Sequence, residues 1–147
     1  MGEVIAIYVG PERQLPQRVE RVDAHAGKGL AGNRYYWANG SAPSGNALTL
    51  IEEEALATFQ EESGIELTAQ ASRRNVLTRG IDLNALVGKR FRVGEVECVG
   101  IELCEPCAHL ASLTHPDVLR GMVHRAGLNA DILSDGEIAV GDPVVEA

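Results

Sequence analysis

The sequence predicts a mainly β chain with short helices, folded as a closed, barrel-like β structure. Three observations point there. Apolar residues cluster in many short runs separated by Gly, Pro, Asn and Asp, the pattern of strands and turns. Only one segment has a clear helical face. Hydrophobic residues make up 45% of the 147 residues while aromatics make up 4%, so the core is aliphatic and large enough for one domain spanning 1–147.

In chain order, residues 3–10 are rich in Val, Ile and Tyr and read as a strand ended by Gly10-Pro11. Residues 18–23 carry alternating apolar positions and read as a second strand. Gly27, Gly29 and Gly32 follow at a spacing that matches GxGxxG by letter. No helix-forming run comes after them, only Tyr35-Tyr36-Trp37 and a polar loop over 38–46, so a dinucleotide fingerprint is set aside. Residues 48–51 form a short strand. Residues 52–62 form the clearest helix, opened by glutamates that complement its dipole and closed by Gly64 as the C′ residue. Residues 75–78 are a strand, and Asp82 caps a helical turn through Leu86 that Gly88 ends. Residues 91–94 and 95–103 are strands. In the second, buried parity switches beside Gly100, which marks a β-bulge. A second helix is expected over 116–125 and a strand over 128–133. Asp135-Gly136 then makes a tight hairpin turn into a strand over 137–140, and Gly141-Asp142-Pro143 turns into Val144-Val145.

Charge and composition exclude several classes. The formal net charge of -8 disfavours a nucleic-acid-coating protein. No apolar run reaches the length of a membrane span, and the N-terminus lacks the basic start of a signal peptide, so a cytoplasmic protein is expected. Three cysteines, an odd number, fit reduced thiols better than a disulfide framework. Lys28 and Lys89 are the only lysines among 13 basic residues; the rest are Arg, whose planar fork suits phosphate and carboxylate.

Two of the cysteines lie in Cys104-Glu105-Pro106-Cys107, followed by Ala108-His109. A pair at this spacing can do redox chemistry, bind a metal or carry sulfur. Pro106 suits the first helical position, which places Cys107 in the first turn of a short helix, where N–H dipoles favour a thiolate. Glu105 opposes this if its carboxylate lies close. Cys104 reads either as a resolving thiol or as a small strand residue, and Cys98 as core. Cys104, Cys107, His109 and His115 together offer soft or borderline zinc ligands, though structural zinc usually draws on a second, more distant pair.

Five segments, in order, carry a family resemblance: Gly29-Leu30-Ala31-Gly32-Asn33-Arg34, then Arg73-Arg74-Asn75-Val76, then Gly80-Ile81-Asp82-Leu83 with Leu86-Val87-Gly88-Lys89-Arg90-Phe91, then Glu105-Pro106-Cys107, and Gly136-Glu137-Ile138 with Gly141-Asp142. With these the chain resembles a MOSC domain, the family named for the C-terminal domain of molybdenum cofactor sulfurases. The resemblance implies a β-barrel with small helices. It implies that Cys107 carries sulfur as a persulfide or ligates molybdenum held by a pterin, the molybdenum cofactor (molybdopterin). It places Arg74 and Asn75 near the cofactor pocket. Arg34 and Lys28 read either as part of a cradle with them for a phosphate-bearing pterin or as solvated side chains, and His124 and Arg125 either as closing the pocket from the C-terminal side or as surface helix residues. Asn33 stands where the family usually has Asp, and an amide cannot act as a base. The chain has no cysteine-desulfurase domain, so pyridoxal phosphate is not expected on it and sulfur arrives from a partner such as a cysteine desulfurase. Related proteins reduce N-hydroxylated compounds; that alternative needs an external electron-transfer protein. A non-enzymatic zinc-binding or interaction module is the alternative from another class.

Overall fold

The computed structural model describes residues 2–147, apart from the side chains of residues 108 and 109. The strands β1 (Gly2–Val9), β2 (Gln17–Val19), β3 (Arg21–His25), β4 (Gly29–Leu30) and β5 (Leu48–Glu52) lead into the helices α1 (Glu53–Ser63) and α2 (Ala69–Ser72). Next come β6 (Val76–Arg79), a 3-10 helix (Leu83–Leu86), β7 (Arg90–Val93) and β8 (Val96–Leu103). The chain ends with α3 (Ala108–Leu113), α4 (Val118–Gly121), β9 (Leu128–Ile132), β10 (Gly136–Ala139) and β11 (Pro143–Glu146).

Strand pairing closes the expected barrel. Its seven strands run in the order β11-β7-β8-β9-β5-β6-β1, and β1 returns to β11 with Gly2 opposite Val144 and Glu3 opposite Pro143. The barrel is mixed, because β5 and β6 pair in parallel. The far half of β1 takes β2 as an extra partner. A second, antiparallel sheet holds β10, β3 and β4.

Two apolar clusters follow from this arrangement. One fills the barrel and reaches under the small sheet: Leu48, Leu50, Val76, Phe91, Val93, Cys98, Leu128 and Val144 pack with Val22, Ala24 and Ile138. The other lies outside the barrel wall, where Phe59 of α1, Leu110 of α3, and Val118 and Met122 cover Ala6, Ile51 and Leu77. Each fully buried aliphatic side chain contributes about 1.5–3 kcal/mol relative to exposure. Among the described residues no helix is long and apolar enough to cross a membrane.

Several local expectations hold. Gly64 closes α1 in the left-handed region at φ 73°, its N–H donating to Gln60 O. Asp82 caps the 3-10 helix through Asn84 N–H. The β8–β9 register shifts between Gly100 and Glu102, where the bulge was expected.

Others change. Residues 18–23 do not form one strand: the chain breaks at Glu20, because β2 extends β1 while β3 belongs to the small sheet. The helix over 116–125 contracts to the four residues of α4, followed by turns. Asp135-Gly136 does not make a hairpin. β9 pairs with β5 and β8, β10 pairs with β3, and Asp135 Oδ1 accepts the Ala26 N–H instead of closing a turn.

Candidate functional site

A cleft of about 590 Å³ opens where four chain segments meet. The loop after β1 brings Glu12 and Arg13, the turn after β4 brings Arg34 and Tyr35, the α2–β6 link brings Arg73 and Arg74, and α3 brings Cys107, Leu110 and Leu113.

The Arg73-Arg74 link is shaped by the end of α2. Thr68 caps that helix by accepting the Ala71 N–H at 3.0 Å, and Arg73 leaves it in the left-handed region at φ 62°. Arg13 also sits there, at φ 68°. Left-handed backbone is uncommon outside glycine, and such residues concentrate at functional sites. Arg74 is tied down by backbone carbonyls: Nε donates to Ala126 O at 2.8 Å, Nη1 to Ser72 O at 3.3 Å and Nη2 to Cys104 O at 3.4 Å. Arg34 donates from Nη2 to Arg73 O at 3.2 Å and lies 4.6 Å over the Tyr35 ring. Its Nη1 is buried without a hydrogen-bond partner. Burial, with the Arg34 charge second, pulls the Arg73 guanidinium below its ordinary pKa. Among the described residues none of the four arginines forms an ion pair with a carboxylate.

Cys107 is exposed on this cleft. It is the N-cap of α3, not a first-turn residue: its backbone is extended (φ −130°, ψ 168°) and Sγ accepts the Leu110 N–H at 3.5 Å. The sulfur itself fills the role of the usual capping oxygen, which pushes Pro106 outside the helix. Glu105 turns away. Its carboxylate accepts the His124 backbone N–H at 2.6 Å and meets His124 Nδ1 at 2.6 Å.

Cys104 lies just past β8, half-buried, with its N–H donating to Gly127 O at 2.8 Å. Burial pushes its thiol above the ordinary range, and Arg74 opposes that shift. Cys98 is fully enclosed in the barrel and its thiol is pushed up to about 12, by burial first.

The remaining candidates are spread out. Asn75 follows Arg74 but is buried and points into the frame: Oδ1 accepts from Thr49 N and Oγ1, each at 3.1 Å, and Nδ2 donates to Tyr8 O at 3.0 Å. Asn33 is buried and its Oδ1 has no partner. Lys28 lies outside the cleft lining and pins the following loop through Ala38 O (3.2 Å) and Gly40 O (3.1 Å). Arg125 forms a forked pair with Glu62 at 2.9 and 3.3 Å, also away from the cleft. His115 Nδ1 accepts the Asp117 N–H. Among the described residues no three His, Cys, Asp or Glu side chains are placed to hold a metal ion; the His109 side chain lies outside them.

Sequence reasoning does not single out Arg13, Glu12, Leu110 or Leu113. Arg13 stands in a Gly- and Pro-bounded loop with no motif around it. Tyr35 belongs to the aromatic run at 35–37, the one signal that an unusual wall was near.

The MOSC domain family model matches residues 22–145. No curated protein sequence matches the chain. Among solved structures, the YuaD protein from Bacillus subtilis superposes with a TM-score of 0.84 at 14% identity, covering 98% of this chain and 94% of that one. YiiM from Geobacillus stearothermophilus gives 0.78 at 19% identity, covering 100% and 75%. YiiM from Escherichia coli gives 0.69 at 16%, covering 99% and 69%. At these identities the likeness is one of fold.

Proposed function

This chain belongs to the MOSC domain family, and on that premise we propose that it is a sulfur-handling protein associated with the molybdenum cofactor, with Cys107 as its sulfur-bearing residue. One observation carries the reading: the exposed Cys107 thiol shares a single cleft with Arg13, Arg34, Arg73 and Arg74, none of which pairs with a carboxylate among the described residues. Arg34, Arg73 and Arg74 are partly buried and Arg13 is exposed; a partly buried guanidinium without a counter-ion favours an anion beside it, and the forked donors match phosphate.

The donor set fits a phosphate-bearing pterin. Arg34 Nη1 and Asn33 Oδ1 are buried polar atoms without partners, one a donor and one an acceptor. Arg73 and Arg13 would hold the anionic end, and Tyr35 and Leu110 would wall the planar part. When bound, the cofactor supplies molybdenum, a metal for which a thiolate is a suitable soft ligand. Asn33, next to Arg34 in the chain but outside the cleft lining, would offer an acceptor and take no proton.

In sulfur transfer, the Cys107 thiolate attacks the outer sulfur of a donor persulfide. The donor S–S bond breaks, the donor leaves as a thiolate, and Cys107 holds the sulfur as a persulfide. The donor is a separate protein, such as a cysteine desulfurase.

The test uses protein purified from a host that makes the cofactor. Metal content, the fluorescence of the oxidised pterin and the intact mass after incubation with a persulfide donor are measured together. Molybdenum with pterin, or a gain of one sulfur atom on Cys107, is expected, and both are lost in Cys107→Ala. Stoichiometric zinc with no pterin and no sulfur gain would overturn the reading.

A further inference from the structure

We propose that Cys104 discharges the sulfur held on Cys107, by forming a disulfide with it and expelling hydrosulfide into the arginine-lined cleft. The inference rests on the reading of Cys107 as the sulfur-bearing residue and adds the step that empties it.

The three cysteines occupy three environments. Cys98 is sealed inside the barrel, Cys107 is exposed on the cleft, and Cys104 is half-buried three residues before it. Cys104 is not a strand residue, since β8 ends at Leu103. Its backbone is clamped on both sides, by Gly127 O at 2.8 Å and by Arg74 Nη2 at 3.4 Å. Cys107 is clamped through its bond to Leu110 N–H. Only Glu105 and Pro106 separate the clamped residues, and neither lies in a helix or strand. Arg74 ties the two together: it donates to Cys104 O at 3.4 Å and lines the same cleft as Cys107. Their exposure divides the work: the exposed thiol is open to the donor, and the half-buried one is shielded from it.

The step balances without an external oxidant. The Cys104 thiolate attacks Sγ of the Cys107 persulfide, the inner sulfur. A Cys104–Cys107 bond forms, the bond to the outer sulfur breaks, and that sulfur leaves as HS⁻ with the proton it carried. The guanidinium groups of Arg73 and Arg74 line the space that receives this anion. A dithiol reductant then returns both cysteines to thiols.

The experiment loads the reduced full-length chain with inorganic polysulfide, removes the excess and follows intact mass and released sulfide over time. The wild type is expected to pass from a gain of one sulfur atom to a loss of two hydrogens, with one equivalent of sulfide released and a Cys104–Cys107 disulfide in the peptide map. In Cys104→Ser, and in Cys104→Ala as a second replacement, the persulfide on Cys107 is expected to last about tenfold longer or more. Equal lifetimes in all three proteins would overturn the proposal while leaving Cys107 as the carrier. A chain whose Cys107 takes up no sulfur at all would overturn both.

Discussion

Arg74 and Asn75 are neighbours in one motif, yet they face opposite tasks. Arg74 lines the cleft, while Asn75 is buried between three strands and satisfies Thr49 of β5 and Tyr8 of β1 through its side chain. Its backbone does the same, with Tyr8 N–H donating to Asn75 O at 2.7 Å and Asn75 N–H to Thr49 O at 3.1 Å. Removing the amide takes the partner from two donors of Thr49 and from the Tyr8 carbonyl, at about 1–3 kcal/mol for each group left unsatisfied. Asn75→Ala is therefore expected to lose about 3 kcal/mol or more, read as a lower urea midpoint. An unchanged midpoint combined with lost pterin binding would place the amide on the ligand instead. The residues that touch the cleft through a motif, Arg34, Arg74 and Cys107, were legible in the sequence as chemistry-bearing groups. Arg13 was not. Its place depends on a loop that crosses to the cleft only because Gly10 O accepts the Arg34 N–H and Pro16 O accepts from Gln70 Nε2.

At the scale of elements, β8 aims the cysteine segment, and Gly100 controls β8. A Cβ at Gly100 would lie 2.1 Å from Leu86 O, the end of the 3-10 helix. That close approach is locked by Gly100 N–H to Lys89 O at 3.0 Å and Gly88 N–H to Gly100 O at 2.8 Å. Backbone on both sides leaves no flexible side chain to move aside. Gly100→Ala is expected to cost about 2–3 kcal/mol, near the upper end for overpacking. At Gly141 the constraint differs: nothing lies within 4 Å of an added Cβ, and only its φ of 95° resists substitution. Gly141→Ala should therefore cost less, and thermal or urea midpoints in the reverse order would contradict this account of Gly100. The bulge was visible in the sequence because burial parity switches along one strand. The broken hairpin was not, because Asp135-Gly136 specifies a turn and says nothing about which strands pair across it. The four-residue helices α2 and α4 are too short to show a helical period.

Across the whole molecule, the aliphatic composition and the many short strands were enough to imply closure, but not the division of strands between two sheets. That division depends on a break at Glu20, where Val19 and Val22 stand three residues apart and the chain changes partners. The small sheet is nonetheless not an independent unit. Val22, Ala24 and Ile138 pack in the same apolar cluster as Phe91, Val93, Val96 and Cys98 of the barrel. Ile138 is fully buried on β10, so shortening it opens a cavity in that shared cluster. Ile138→Ala is expected to cost about 2–5 kcal/mol. Trp37, the single tryptophan, is held to Lys28 O at 2.9 Å beside β3 and β4, so its fluorescence reports the small sheet. Far-UV circular dichroism reports mainly the barrel strands. If one core holds both, the two probes share one midpoint in the wild type and fall together in Ile138→Ala, as a cooperative transition requires. A fall confined to Trp37, with the dichroism midpoint in place, would show that the small sheet unfolds on its own and that the wall it gives the barrel is separable from the cleft.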